Sequence, residues 1–422
     1  MIDRRRALWL SALMATMLLW GSSARAQNNW ASDHWVGTWT ASMHGQISFA
    51  GRHGPDEGFE NQTVRMIVHT SIGGHRARVW LSNAFGTAPL VIGAAHIALR
   101  GSGAAIVPST DHPLTFSGRG SFTIPAGAEI LSDAVDLDVP QTGDLAISVF
   151  VPAKTGPPTR HSTGLHTTYV SGPGDLTSKT DLASTSTSES WYWVEGVDVT
   201  APEGAGAVVT FGDSITDGAR STVDTNRTWP TELAIRLLAQ SAKSPQIAVL
   251  NAGISGNRIW HDQIGPNGLE RFGHDALAQP GVRVIVVMLG INDIGFSNLP
   301  GAVDEGVTAD DVIAGQRQFI ESAHVRGLKI IGATLLPFQG AMYYSTDAEV
   351  KRATVNNWIR TSGAYDGVID FDATMRDPQH PMKIQAALDS GDHLHPSDAG
   401  YKVMGDAVDL LLFAELKGTK KH

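Results

Sequence analysis

The chain has 422 residues, of which 42% are hydrophobic and 18% are charged, and its formal net charge is −10. This composition is typical of a soluble globular protein, and at about 100–200 residues per domain the length allows two or three domains. The acidic balance does not suggest a nucleic-acid partner. Because the sequence contains no cysteine, disulfides, a thiol nucleophile and thiolate metal ligands are excluded.

The first residues have the pattern of a secretory signal peptide. Residues 4–6 are three arginines, residues 7–20 are apolar, and Ala24-Arg25-Ala26 matches a small-x-small cleavage site. We therefore expect residues 1–26 to be removed on export, which would leave a periplasmic or extracellular protein without a stable membrane anchor. An uncleaved N-terminal anchor is the alternative, and the paired arginines leave Sec and twin-arginine export both open.

Residues 30–202 are predicted to form a β-sandwich or jelly-roll-like domain. Short strand-like runs alternate with Gly, Pro, Asn and Asp, and no convincing helical period interrupts them. The predicted strands cover residues 62–70, 77–82, 90–99, 122–125, 145–151 and 191–194. Residues 171–189 are predicted to be a surface loop, and residues 202–206 are predicted to join this domain to the next.

Strands and helices alternate across residues 205–416, before a short tail at 417–422. The predicted strands are 207–211, 247–250, 282–289, 328–336 and 368–371. Four helices are predicted between and after these strands. The first has Trp229, Leu233, Leu237 and Leu238 on one face, and the next two cover about 309–325 and 348–361. The last begins after Ser397, a good N-cap, and has one face formed by Tyr401, Met404, Val408, Leu411 and Leu412. Nearly continuous apolar strands in such an alternation predict a parallel sheet covered on both faces.

Polar motifs lie where these strands end. Ser214 follows the first strand, Gly256 the second and Asn292 the third, while Asp392 and His395 precede the last helix. Because ligands of parallel sheets bind beyond the carboxyl ends of the strands, we expect these residues to meet there. Each has a purely structural alternative: a tight turn for the serine and glycine segments, and a loop cap for Asn292.

The Asp392 and His395 pair has an alternative of its own. Together with His393 it could be part of a metal site, but the sequence shows no further cluster of ligands beside it. We therefore predict no metal and no cofactor.

Taken together, the five residues fit nucleophilic catalysis. An unactivated serine is a weak nucleophile, so Ser214 needs a base, which His395 could provide, and Asp392 could orient the imidazole. An oxyanion needs hydrogen-bond donors, and the backbone N–H groups of Ser214 and Gly256 and the amide of Asn292 could provide three.

The same residues resemble the sequence blocks of the GDSL or SGNH hydrolases. Gly212-Asp213-Ser214, Gly256, Gly290-x-Asn292-Asp293 and Asp392-x-x-His395 occur in the family's order, and the resemblance spans residues 205–415. It implies a flavodoxin-like three-layer α/β/α domain and a cofactor-free ester or thioester hydrolase. It also implies that Ser214 is the nucleophile, that Asp392 and His395 are its partners, and that Ser214, Gly256 and Asn292 form the oxyanion hole. The Gly-x-Ser-x-Gly motif of the α/β-hydrolases is absent.

Fold does not define the substrate. A β-sandwich before an SGNH domain is similar in layout to some carbohydrate esterases, so we expect short acyl esters of a small molecule or polysaccharide, such as carbohydrate acetates or aryl esters. A lipase or acyltransferase with the same triad is the alternative, followed by a non-enzymatic glycan-binding protein. The sequence does not indicate the oligomeric state.

Two sets of aromatic residues bear on the substrate. Five follow the strand-end motifs and are candidates for an acyl or aryl pocket: Trp260, Phe296, Phe338, Tyr343 and Tyr344. Five tryptophans of the first domain could stack on sugars, although packing in the core is their commoner role: Trp35, Trp39, Trp80, Trp191 and Trp193.

Overall fold

A β-rich region and an α/β region follow one another along the chain. The structure is a computed structural model, and it describes residues 33–46, 58–240, 246–299 and 305–417. The predicted signal peptide lies outside the described residues, as does nearly all of the predicted tail. From His34 onward the described residues form one compact unit. No helix in these ranges is long and apolar enough to cross a membrane.

The β-rich region contains antiparallel strands, with a short 3₁₀ helix at Pro108–Thr110. The strands are β1 (Trp35–Thr40), β2 (Gln62–His69), β3 (Gly74–Ser82), β4 (Leu90–Ile92), β5 (Ala94–Leu99), β6 (His112–Pro113), β7 (Phe122–Ile124), β8 (Glu129–Leu131), β9 (Val135–Val139), β10 (Asp144–Val151), β11 (Arg160–His161), β12 (Thr168–Pro173), β13 (Ser184–Ser188), β14 (Trp191–Tyr192) and β15 (Val194–Thr200). One sheet has the order β1-β15-β3-β8, with β9 also paired to β3, and a second has the order β13-β12-β2-β10-β5-β6. Two antiparallel sheets are consistent with the predicted sandwich.

Two sequence expectations for this region were wrong. The predicted strand over residues 90–99 is two strands, because β4 pairs with β7 while β5 pairs with β10 and β6. The predicted loop at 171–189 contains the end of β12 and all of β13, which pair with each other. The side chains of β13 are mostly exposed, so the strand lacks the alternation of apolar residues that would have revealed it.

Most tryptophans of the β-rich region belong to its interior. Trp39, Trp191 and Trp193 are buried, and the rings of Trp39 and Trp191 meet edge to face at 4.9 Å. The indole N–H of Trp80 donates to Asp198 at 3.0 Å, and the guanidinium of Arg78 lies 4.4 Å from the ring centre of Trp35. Packing therefore accounts for these rings better than sugar stacking does.

The α/β region has a parallel sheet that confirms the predicted fold class. Its strands are β16 (Gly206–Gly212), β17 (Ile247–Gly253), β18 (Val282–Met288), β19 (Lys329–Ala333) and β20 (Gly367–Ile369), in the order β17-β16-β18-β19-β20. Numbered within the region, this is 2-1-3-4-5, the flavodoxin-like order. The strand order reverses beside β16, and ligands of such sheets bind at the carboxyl end of this reversal point.

Eight α-helices of the described chain belong to this region. They are α1 (Ser214–Asp217), α2 (Trp229–Gln240), α3 (Gly268–Phe272), α4 (Ile291–Gly295), α5 (Ala309–Val325), α6 (Thr346–Thr361), α7 (Phe371–Met375) and α8 (Asp398–Ala407). Ser397 caps α8 as predicted, with its hydroxyl accepting from the N–H of Gly400. The helix ends at Ala407 and a 3₁₀ helix covers Leu410–Lys417, so Leu411 is 77% exposed and the prediction that it shares the buried face was wrong.

The β-rich region covers one edge of the parallel sheet. Edge strand β17 donates the N–H of Val249 to the hydroxyl of Ser71 at 3.2 Å. Beside it, the N–H of Gly37 donates to the carbonyl of Pro280 at 3.0 Å. An open sheet edge is prone to pair with other chains, so this contact protects it. The predicted junction at residues 202–206 follows β15 and includes Gly206, the first residue of β16.

Candidate active site

Ser214 sits in the tight turn between strand β16 and helix α1. The Asp213 carboxylate caps α1 by accepting from the N–H of Ile215 at 3.1 Å, and Gly218 ends the helix with a φ of 104°. A Cβ on Gly212 would lie 2.3 Å from the Thr216 hydroxyl and 2.6 Å from the Met288 carbonyl, so the strand can end here only with glycine. The turn thus presents a 7% exposed serine at the carboxyl end of the central strand.

Asp392 and His395 reach Ser214 from the loop before α8. The His395 Nε2 atom lies 2.7 Å from Ser214 Oγ, and its Nδ1 atom lies 2.8 Å from Asp392 Oδ2. The other Asp392 oxygen accepts from the backbone N–H groups of Leu394 and His395. Burial by itself would raise the pKa of Asp392, but the hydrogen bond and charge of His395 hold that pKa well below its usual value. The carboxylate is therefore anionic and orients the imidazole towards the serine.

His393 forms its side-chain hydrogen bond with Asp389, not with Ser214 or Asp392. It adopts a φ of 64°, and its Nδ1 atom lies 2.6 Å from Asp389 Oδ2. The Nε atom of the exposed Arg220 donates to Asp392 Oδ2 at 3.0 Å. Each imidazole of this loop thus has its own carboxylate, which is unlike a shared metal site.

Gly256 and Asn292 follow the two strands on either side of β16. Gly256 has a φ of 82°, a conformation that favours glycine, and a Cβ there would lie 2.4 Å from the Cδ1 atom of Ile264. The Asn292 amide donates to the carbonyl of Asn257 at 3.0 Å and accepts from the Tyr343 hydroxyl at 3.1 Å. These two bonds fix which end of the amide carries the N–H groups, and they leave one N–H for a ligand.

The backbone N–H groups of Ser214 and Gly256 have no hydrogen-bond partner within the described ranges. The structure therefore brings together the serine, the histidine, the aspartate and three candidate donors at one edge of the sheet. The arrangement can activate a hydroxyl and receive an anion.

Comparison with known proteins identifies the domain that carries this site. The model of the GDSL-like lipase/acylhydrolase family matches residues 210–403. Residues 210–403 belong to the GDSL-like lipase/acylhydrolase family. This confirms the resemblance seen in the sequence and places the domain among the GDSL-like hydrolases. No curated protein matches the chain.

Several solved structures are similar to the GDSL-like domain. A lipolytic protein of the G-D-S-L family from Desulfitobacterium hafniense is 23% identical, with 48% of this chain and 96% of that chain covered and a TM-score of 0.36. A lipase/acylhydrolase from Enterococcus faecalis is 20% identical, with coverages of 51% and 100% and a TM-score of 0.39. Axe2, an acetylxylan esterase from Geobacillus stearothermophilus, is 23% identical, with coverages of 50% and 94% and a TM-score of 0.38.

Arg271 ties together the strand ends of the GDSL-like domain. This buried side chain donates to the carbonyls of Gly212 and Ala252, both at 2.8 Å, and to the Asn257 side chain at 2.9 Å. Its guanidinium also lies 4.0 Å from the ring centre of Phe211. Sequence analysis missed Arg271, because a single arginine in a five-residue helix carries no signal of its distant partners.

Two buried aspartates flank the GDSL-like site. Asp213 has one oxygen without a hydrogen-bond partner, and burial raises the pKa of this carboxyl to about 7. Asp293 accepts from the N–H groups of Ile259 and Trp260, yet burial raises its pKa to about 7 as well. Each carboxyl is therefore only partly ionised at neutral pH.

The β-rich region contacts the GDSL-like domain within one helical turn of Ser214. His161 Nε2 lies 2.9 Å from Asp217 Oδ1, while its Nδ1 donates to the carbonyl of Ser42. The other Asp217 oxygen accepts from the N–H and hydroxyl of Ser255. Burial opposes the charged form of His161, but Asp217 outweighs it and raises the pKa of the imidazole. Sequence analysis missed this ion pair, which joins residues 56 positions apart.

The predicted pocket residues are mostly packed against one another. Phe338 is fully buried, Tyr343 is 3% exposed and Phe296 is 8% exposed, and the rings of Phe338 and Tyr344 meet edge to face at 5.2 Å. Phe338 thus packs in the core, and its role in a substrate pocket stays a prediction. Trp260 is 39% exposed, and its indole N–H donates to the carbonyl of Asp311 at 2.8 Å.

Proposed function

We propose that the protein is a serine ester hydrolase that cleaves short acyl esters through an acyl-enzyme intermediate. The observation that carries this proposal is the continuous hydrogen-bonded chain from Ser214 Oγ through His395 to Asp392, with distances of 2.7 and 2.8 Å. A base in contact with the hydroxyl and a carboxylate in contact with the base are what an activated serine requires.

The proposed reaction has two halves. In the first, Ser214 Oγ attacks the ester carbonyl carbon as its proton moves to His395 Nε2, and the negative charge develops on the carbonyl oxygen. The N–H groups of Ser214, Gly256 and Asn292 stabilise this oxyanion. The intermediate then expels the alcohol, which takes the proton from His395. In the second half, His395 deprotonates a water that attacks the acyl-serine and releases the acid.

Packing around Asn292 supports a short acyl group. Tyr343 occupies the space behind the amide, and its ring contacts those of Phe296 and Phe338, each at 6.0 Å between centres. A long acyl chain directed to that side would have to displace buried aromatic rings. We therefore propose acetates or other short esters of a carbohydrate or aryl alcohol, in a small molecule or a polysaccharide. In line with residues 1–26, we propose that the enzyme acts after export.

One observation favours a lipase or acyltransferase as the second candidate. Met342 is 76% exposed and Met382 is 41% exposed. They belong to neighbouring loops, since the Tyr344 hydroxyl contacts Met382 Sδ at 3.8 Å and a Cβ on Gly340 would touch the ring of His393. An apolar surface beside the triad loop could hold a longer acyl chain or an alcohol acceptor.

Replacing the nucleophile tests the proposal. We expect Ser214→Ala to lower kcat for p-nitrophenyl acetate by about 10⁴-fold or more while leaving the thermal midpoint unchanged. Ser186→Ala, on an exposed strand of the β-rich region, is the matched control and should keep full activity. Wild-type turnover in Ser214→Ala would refute the assignment. A series of esters from acetate to octanoate separates the two candidates, because a preference for octanoate would favour the lipase.

A further inference from the structure

A second cluster of chemically reactive side chains lies where the two regions meet, outside the proposed triad. Glu129 begins β8, Glu195 lies in β15, and His274 belongs to the π-helical turn Gly273–Leu277 after α3. His274 Nε2 lies 3.0 Å from Glu129 Oε2 and 3.3 Å from Glu195 Oε1, and one ligand atom of each residue falls within 4.8 Å of the others. Atoms at such separations can share one cation with bonds of about 2.0–2.2 Å.

The far side of His274 is arranged as it is in metal-binding histidines. Its Nδ1 atom lies 2.8 Å from Asp275 Oδ1, and the other Asp275 oxygen accepts from Arg271 at 3.0 Å. A carboxylate that receives the Nδ1–H fixes the ring's orientation and directs the lone pair of Nε2 outward. The Nε2 atom, which carries that lone pair only when the ring is neutral, faces the two glutamates.

Glu195 supplies an independent indication of a missing partner. Its side chain is 8% exposed, and its Oε2 atom is buried without a hydrogen-bond partner. Buried carboxylate oxygens are nearly always satisfied, because the loss of water around them is costly. A simple ion pair with His274 engages Oε1 and leaves Oε2 unexplained, whereas a cation bound by the carboxylate would engage this group directly.

The cluster also has room for a cation and its water ligands. Glu129, Glu195 and His274 line a cavity of about 160 Å³ beside Trp80 and Asp198. The same three residues line a second cavity, of about 150 Å³, beside Met43 and Glu270. Solvent-sized space on both sides provides a path of entry and positions for water.

We propose that Glu129, Glu195 and His274 bind one divalent zinc ion. One imidazole nitrogen and two carboxylate oxygens form a ligand set that zinc accepts, with water completing the coordination. The site is structural, because it bridges two strands of the β-rich region and the turn that follows Arg271. Through Asp275 and Arg271 it supports the carbonyl of Gly212, immediately before the proposed nucleophile segment. The sequence had suggested no metal, since these three ligands are spread over about 145 residues.

Direct binding to the full chain tests the site. After treatment with a chelator, the wild-type protein should bind one zinc ion per chain by isothermal titration calorimetry, and zinc should raise its thermal midpoint. Binding should weaken at least tenfold in Glu129→Gln and more in His274→Gln. Glu129 is 26% exposed, so its conservative variant should fold even if His274→Gln does not.

His324→Gln is the matched control. Its Nε2 atom lies 3.0 Å from Asp366 Oδ2, a histidine–carboxylate contact without the second glutamate, and this variant should bind zinc like the wild type. The proposal is overturned if wild-type protein binds no stoichiometric zinc, or if Glu129→Gln binds it equally well. Saturation by magnesium at the same concentrations would overturn the assignment to zinc. None of these readouts depends on esterase activity, so the two proposals fail separately.

Discussion

Arg65 in the β-rich region and Asp213 in the α/β region are both buried ionisable residues, but their surroundings differ. Arg65 is fully buried and donates five hydrogen bonds, to the hydroxyl of Ser148 and to the carbonyls of Ala104, Thr177, Lys179 and Thr180. Asp213 accepts one bond and leaves the other oxygen without a partner. Arg65 therefore has its charge fully paired, whereas Asp213 keeps one buried oxygen unpaired.

The different pairing of Arg65 and Asp213 fits a structural role for the first and a place beside a binding site for the second. A structural charge is stable when every polar atom is paired. A reactive edge must keep donors and acceptors uncommitted so that substrate can use them, and carboxyls with shifted pKa values gather there. The unpaired N–H groups of Ser214 and Gly256 fit the second pattern.

The largest effect on stability should come from the ion pair that joins the two regions. His161→Gln leaves Asp217 buried without its charged partner, and we expect a loss of about 3–5 kcal/mol in the free energy of unfolding. Because the folded-state pKa of His161 is raised, this contribution is fully present below about pH 6.5 and declines as pH rises through the folded value.

Urea unfolding at pH 5 and pH 9 measures this effect. His75→Gln is the control, since His75 makes the same kind of contact with Asp138 at 2.7 Å but is 92% exposed. We expect His75→Gln to lose almost no free energy of unfolding at either pH. A loss in His161→Gln that is equal at pH 5 and pH 9 would contradict the ion-pair explanation.

Removal of the Asn292 amide should lower the rate of catalysis, and it also leaves the buried groups of Asn257 and Tyr343 without their partner. Asn292→Ala is expected to reduce kcat by about 10²–10³-fold, equivalent to about 2.7–4 kcal/mol, with a small change in KM. The exposed Asn357→Ala on α6 provides the control and should retain wild-type kcat. If Asn292→Ala raised KM and left kcat intact, Asn292 would be a ground-state contact instead of an oxyanion donor.

The buried carboxyl of Asp213 should lower the stability of the fold when it is charged. Its folded pKa of about 7 lies above the ordinary value, so the charged form destabilises the fold and the penalty grows as pH rises from about 4 to above 7. Asp213→Asn keeps the acceptor for Ile215 and removes the charge. We expect it to raise the unfolding free energy by up to about 4 kcal/mol at pH 8.5 and to have little effect at pH 4.

Glu321→Gln removes one exposed charge from α5 and is the control, for which we expect only a small change in the thermal midpoint. Thermal midpoints at both pH values provide the measurement. Stabilisation of Asp213→Asn that is the same at pH 4 and pH 8.5 would show that the carboxyl is not strained by its charge.

The smallest effect concerns the orientation of the Asn292 amide. Burial raises the pKa of Tyr343 well above its usual value, so its hydroxyl stays protonated and donates to Asn292. Tyr343→Phe should lower kcat about 5–10-fold, as expected for one hydrogen bond of about 1 kcal/mol, without changing KM. Tyr344→Phe loses only the contact with Met382 and should behave like the wild type. Equal losses in both variants would indicate a general packing effect.

The local sequence pattern alone predicted most helices and strands of the α/β region. Helix α5 has the predicted bounds 309–325, and Ser397 caps α8, because amphipathic periods and caps depend on residues within a few positions of each other. The five strands were all predicted, with ends displaced by a few residues, since buried parallel strands are continuous apolar runs. The motif residues were recognisable because each follows such a run.

Tertiary structure alone decided the contacts between distant segments. The partners of Arg271, His161 and His274 come from other strands and loops, and no period or spacing in the sequence encodes those pairings. The same is true of the exposed strand β13 and of the buried ring of Phe338. Residues near in sequence set the elements and the motifs, but the surroundings that orient Asn292, charge His161 and leave Asp213 unpaired exist only after the chain has folded.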